Sequence, residues 1–201
     1  MSVAPVPSPA VTAQDEVAGI CQDLLRIDSS NYGDGTGPGE RAAAEYVMAS
    51  LAEVGLEAEY YETQPGRANV VLRLPGTEPA RPALVLHGHL DVVPAQADEW
   101  QVDPFGGEER DGLLWGRGAV DMKDMDAMIL AVVRQLARER RRPSRDVVVA
   151  FFADEEAGGA HGARWSVDHR PDLFEGATEA ISVAWGALSD CGCSGVAGPM
   201  P

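Results

Sequence analysis

The chain has 201 residues, 45% of them apolar, which is enough for one domain with a substantial core. Lys and Arg number 16 against 32 Asp and Glu, for a net charge of −16. So acidic a surface repels phosphate backbones and argues against nucleic acid as a partner. Three cysteines, Cys21, Cys191 and Cys193, make no disulfide framework in a chain of this size. No run of about eighteen apolar residues offers a membrane span.

The first stretch, MSVAPVPSPAVTAQ, has neither a basic start nor an apolar block, so it does not read as a secretory signal. Its Pro, Ser and Ala content predicts a disordered leader over 1–14, and the expected compartment is the cytoplasm. Val17, Ile20, Cys21, Leu24 and Leu25 have helical spacing and predict a helix over 12–27. DSSNYGDGTGPG (28–39) reads as a loop. A second helix is expected over 40–54, with Ala43, Val47 and Leu51 on one face and Gly55 as its stop. ANVVLRL (68–74) reads as a strand, and so does ALVLHGHL after the turn PGTEPARP. Residues 95–117 form a long loop with a hairpin. A third helix is predicted over 122–140 from Met125, Ile129, Val132, Val133 and Leu136, and Pro143 closes it. The basic tail of that helix, RQLARERRRPSR, suits a helix C-terminus and a solvated face. DVVVAFFADEE (146–156) reads as a buried strand ending in acids, GAHGARWSVDHRPDLF as a short helix, and AISVAW as a short strand. Strands and helices alternate with short connections, which predicts an α/β domain with a mostly parallel central sheet.

Ligands of such sheets bind beyond the carboxyl ends of the strands. There the chain places His87, His89 and Asp91 after one apolar run, and Asp154, Glu155 and Glu156 after another. Buried polar groups without partners cost free energy, so these groups either satisfy each other or hold something. Asp91 is placed to orient the His89 imidazole and raise its basicity, the usual device around a zinc-bound histidine. His87 points the same way by strand alternation, and packing or support of His89 is its expected role. GRGAVDMK (116–123) resembles a phosphate loop, but Asp121 stands where the dinucleotide pattern wants its third glycine, and its carboxylate would repel a pyrophosphate. Asp121 at a strand-to-helix turn suits a cation or, alternatively, a plain helix N-cap. In ADEEAGG, two adjacent ionised glutamates would repel each other in a dry site. A metal that binds one leaves the other for general-base work.

The order of these motifs resembles the dinuclear-zinc peptidase family of aminoacylase, carboxypeptidase G, acetylornithine deacetylase and succinyl-diaminopimelate desuccinylase. The resemblance covers residues 15–182. It is strongest at ALVLHGHLDVVP, DPFGGEERDGLLWGRGAVDMKDMDAM and FFADEEAGGAHGA. It implies a three-layer zinc-peptidase catalytic domain, here its N-terminal portion. His89 would bind one zinc, Glu156 the other, and Asp121 would bridge both with a cis peptide after it. Glu155 would be the general base and Asp91 the residue orienting His89. The implied cofactor is two zinc ions, with cobalt able to substitute. The implied reaction is hydrolysis of an amide bond near a free carboxylate, in an N-acyl amino acid or small peptide.

Members of that family are longer. They carry a lid and dimerisation domain and two further metal ligands, an acid beyond the Glu-Glu pair and a distant histidine. Val183 stands where the acid is expected, and the tail 183–201 reads unlike the rest of the chain. The expectation is a C-terminally incomplete domain with a frameshifted tail, which a one-base shift in the coding DNA after Ser182 would restore to family sequence. The alternative to an active hydrolase is an inactive fragment with weak or no metal binding, and an α/β nucleotide-binding module ranks behind both.

Overall fold

The computed structural model describes residues 11–182. The expectations for 183–201, both the frameshift and the C-x-C of Cys191 and Cys193, lie outside these residues, as does the leader up to residue 10. Thr12 caps the first helix, α1 (Ala13–Leu25), through a reciprocal pair with Asp15, so the last two leader positions are helical. There follow α2 (Arg41–Ala52), β1 (Glu59–Glu62), β2 (Ala68–Leu74) and β3 (Ala83–His89). Next come a small hairpin of β4 (Glu108–Arg110) and β5 (Leu113–Trp115), then α3 (Lys123–Arg138), β6 (Val147–Phe152), α4 (Ala163–His169) and β7 (Ala177–Ile181).

Five strands form one sheet in the order β1-β2-β6-β3-β7. β3 runs parallel to both β6 and β7, because α3 and α4 carry the chain back across the sheet. β2 is antiparallel to β6, and β1 is antiparallel to β2 across the short turn 63–67. The sheet is therefore mixed, and its parallel half is the half whose strand ends carry the polar motifs. β1 is an addition to the sequence reading. EYYE is exposed or half-buried throughout, so it lacks the apolar signature of a core strand.

Strand alternation sends side chains to two cores. Val70, Leu72, Val149 and Phe151 pack with Leu24, Val47, Leu51 and Leu130 of the three long helices. Val71, Val148, Ala150 and Phe152 pack with Leu173 on the other face. This gives the expected three layers, helices on either side of a sheet. Each fully buried Leu or Phe contributes about 1.5–3 kcal/mol relative to exposure. α3 buries Ile129 and Val133 of its predicted face, with Met125 and Leu136 packed against the core, while Val132 is half exposed; the buried face also takes in Lys123, Asp126, Ala127, Leu130 and Ala131. Two charged residues that the apolar pattern does not count, Lys123 and Asp126, widen that face. Lys123 donates from Nζ to the carbonyls of Leu24 (2.9 Å) and Ile27 (2.6 Å), tying the start of α3 to the end of α1. Burial lowers its pKa to about 8, against the pull of Asp126 and Asp28. Asp126 packs beneath β3 against Gly88, where an added Cβ would come within 2.0 Å of its Oδ1.

Candidate metal centre

Parallel register aligns the ends of the two central strands. His89, the last residue of β3, pairs with Phe152, the last of β6. The chain then turns outward on both strands and delivers both polar clusters to the same edge.

His89 is buried, and its two ring nitrogens have separate duties. Nδ1 lies 2.9 Å from the backbone oxygen of Asp91, so it carries the proton and donates it there. Nε2 faces outward, 3.1 Å from Asp121 Oδ1 and 3.7 Å from Glu155 Oε2. Burial pulls the His89 pKa down, but the hydrogen bond to Asp91 and the Asp91 charge outweigh it and raise the value to about 10. The negative field that draws a proton to Nε2 would equally draw a metal cation.

Asp91 orients more than His89. Its Oδ1 accepts the Glu155 N–H and its Oδ2 accepts the Glu156 N–H, both at 3.0 Å. Oδ2 also accepts from Asn31 Nδ2 at 2.8 Å. Burial would raise its pKa, yet the His89 imidazole, the Asn31 amide and the Glu156 N–H hold it below the usual carboxylate range. The two glutamates sit on a one-turn 3₁₀ segment, Glu155–Ala157, entered through Asp154 in the left-handed region (φ 66°). That conformation disfavours side chains other than glycine and persists where surroundings fix it. Here Asp154 is held by Asn31 Nδ2 (3.1 Å) and by the His161 N–H (3.0 Å).

Asp121 does not cap α3, which begins after Met122 with no side-chain cap. Its carboxylate instead meets His89, and the Asp121–Met122 peptide is cis, as the resemblance implies. His89, Asp121 and Glu156 each offer one ligand atom, all within 4.8 Å of one another, the one such group among the described residues. One imidazole nitrogen with two carboxylate oxygens is a donor set that suits zinc. Burial raises the Glu156 pKa, and Asp121, Asp91 and Glu155 add repulsion that His89 only partly offsets. A cation among them would relieve that crowding. Glu155 is exposed beside this group, at the mouth of a cavity of about 370 Å³. His87 lines the same cavity next to the Phe152 ring (centroids 5.7 Å apart), and burial lowers its pKa. Glu179, on β7, pairs with Arg145.

Asn31 and Arg67 escape a reading by local spacing. Arg67 donates to Glu40 and to Asn31 Oδ1 (2.9 Å), and all three residues are buried. The available signals were an asparagine in a glycine-rich loop and an arginine directly before the apolar strand ANVVLRL.

Clustered carboxylates and an imidazole at the carboxyl ends of parallel strands make a candidate metal-binding site in an α/β/α domain. The sequence profile of peptidase family M20/M25/M40 matches residues 85–192, more than half of the chain, and the chain belongs to that family. The match continues ten residues past Ser182, into the segment expected to depart from family sequence. Aminoacylase-1 of Sus scrofa is 37% identical over 137 residues, covering 68% of this chain and 33% of that protein. Aminoacylase-1 of Dictyostelium discoideum is 29% identical over 148 residues, covering 73% and 35%. The chain thus spans about a third of the length of the curated relatives it matches. Among solved structures, human carnosine dipeptidase 1 superposes with a TM-score of 0.65 at 24% identity, over 83% of this chain and 38% of its own. An M20 family metallo-carboxypeptidase, Sso-CP2 of Sulfolobus solfataricus, gives 0.63 at 23%, over 73% and 32%. These two likenesses establish the fold. No helix among the described residues is long and apolar enough to cross a membrane.

Proposed function

We propose that residues 15–182 are the N-terminal portion of the catalytic domain of a zinc-dependent amide hydrolase, with N-acyl amino acids or small peptides as substrates. The observation that carries this reading is the His89–Asp121–Glu156 group, with Nε2 of His89 turned toward it and Glu155 alongside. The names of the aminoacylase relatives support the substrate class. His89 would hold one zinc and Glu156 the other, with Asp121 shared. Zinc bound there supplies a Lewis acid that polarises an amide carbonyl and lowers the pKa of a water. The chain's own groups do the rest. Asp91 keeps the Nδ1 proton in place, so that Nε2 stays a ligand. Glu155, exposed at the cavity mouth, takes a proton from the attacking water and returns it to the leaving nitrogen. Cys21, buried as a free thiol, suits the cytoplasm as working compartment.

One observation favours a second reading, a fragment that holds metal weakly or not at all. The group among the described residues has three members, so two ions sharing Asp121 would have two protein ligands each, against the usual three of a catalytic zinc. Zinc per chain after dialysis against a weak chelator separates the readings. Two ions retained, with hydrolysis of an N-acetyl amino acid that drops about 10²–10⁴-fold in Glu155→Gln at unchanged zinc content, is the expected result. Less than one ion per chain and no hydrolysis would establish the fragment.

A further inference from the structure

We propose that Asn31 is the positioning residue of this centre, the group that sets the His89 segment and the Glu155–Glu156 turn against each other. The inference rests on the metal-centre reading above. Asn31 comes from the glycine-rich loop between α1 and α2, offers no ligand atom to the cluster, and is 4% exposed. Its amide is used to capacity. The two Nδ2 hydrogens go to Asp91 Oδ2 (2.8 Å) and Asp154 Oδ1 (3.1 Å). Oδ1 accepts from Arg67 Nη2 (2.9 Å) and from the Gly33 N–H (3.1 Å). A flipped amide would turn an oxygen toward two carboxylates and a donor toward a guanidinium, so the orientation is determined by its partners.

The two carboxylates that Asn31 bridges control different parts of the centre. Asp91 receives the Glu155 and Glu156 amides and follows His89 by two residues. Asp154 enters the same turn through its left-handed backbone. Like charges at Asp91 and Asp154 repel, and the Asn31 amide is the donor placed between them, backed by the positive charge of Arg67. Its own backbone is fixed as well, since the Asn31 N–H donates to Val92 O at 2.8 Å, just beyond Asp91. One side chain thus joins the end of β3 to the turn after β6. Asp91 also ties the two directly through the Glu155 and Glu156 amides, and Asn31 holds the Asp91 and Asp154 carboxylates together behind those bonds. Without it their repulsion loosens the turn while the sheet stays intact.

Asn31→Asp tests this directly, because it keeps the acceptor for Arg67 and Gly33 and deletes both donors. Native-state amide exchange on the full chain without metal should be at least about tenfold faster at Glu155 and Glu156, while the β6 amides of Val148–Phe151 keep their protection. Cobalt titration of the same variant should show affinity lowered about 10–100-fold, the range for groups that orient metal ligands. Should the added charge unfold the chain, Asn31→Ser removes the amide without adding charge and is expected to give the same local pattern. Unchanged exchange at Glu155 and Glu156 in a folded variant would overturn the proposal. So would acceleration spread equally through β6, which is the mark of a merely structural residue. A wild-type chain that takes up no cobalt would bring down the metal-centre reading instead, and the exchange result would still decide what Asn31 positions.

Discussion

Asp91 and Asp126 are both carboxylates with no solvent exposure, one following β3 and the other beneath it on α3. Asp91 is ringed by donors: two backbone amides, the Asn31 amide and the His89 imidazole at 3.5 Å. Neither oxygen of Asp126 has a hydrogen-bond partner. Burial raises the Asp126 pKa well above the usual range, and the charges of His89 and Lys123 do not offset it. The same burial is overcome at Asp91, whose pKa is lowered. Donors, and not depth, decide which buried carboxyl keeps its charge. The chain has put its donors around the group that organises the candidate metal centre.

The contrast is broken most severely at Asp91. In Asp91→Asn an amide group would face the Asn31 amide or one of the two backbone N–H groups, donor against donor. Urea unfolding should show a loss of about 3–5 kcal/mol, the range for a buried charged network deprived of one member. An intermediate effect is expected for Arg67→Met, because Glu40 escapes its lost partner by taking a proton. Burial already holds the Glu40 pKa at about 7, with Arg67 opposing. The folded chain therefore keeps a proton that the unfolded chain releases above about pH 4.3. Stability falls as pH rises from there to 7, and the window extends upward once Arg67 is gone. Melting temperatures at pH 5 and pH 8 should accordingly diverge more in Arg67→Met than in the wild type.

The smallest effect belongs to Asp126→Asn, which removes a titrating group without removing volume. Folded Asp126 retains its proton above about pH 3.9, where the unfolded chain loses it, so unfolding releases a proton and stability declines with rising pH up to the raised folded pKa. The variant should lack this decline, which amounts to at most about 1.4 kcal/mol per pH unit across that window. Unfolding free energies with identical slopes between pH 5 and pH 8 in variant and wild type would show that Asp126 is already ionised and that the contrast with Asp91 is false.

The difference between the two aspartates also explains what could be read from the sequence. Asp91 was legible because His89 and Asp91 stand two positions apart at the end of an apolar run, so their geometry follows from strand periodicity. The same holds for Glu155 and Glu156 after VVVAFF, and the parallel register of β3 and β6 then brings the two runs together. Asp126 was not legible. Helical periodicity predicts an apolar face, and a charged residue on that face reads as solvent-exposed until Gly88 is seen lying against it. Asn31 and Arg67 were missed for another reason. Their partners are 60, 123 and 27 residues away for Asp91, Asp154 and Glu40, and no local spacing encodes such contacts. β1 was missed because an edge strand need not be apolar to pair.

Gly88, between the two histidines of HGH, has a consequence for how this site can vary. A methyl group added there would meet Asp126 Oδ1 at 2.0 Å, so the buried carboxylate would have to move aside. Positions 88 and 126 therefore form a linked pair in sequence space. Alanine at 88 comes at the cost of displacing the carboxylate at 126, and so the spelling of the strand that delivers His89 is constrained by a helix residue 38 positions further along the chain.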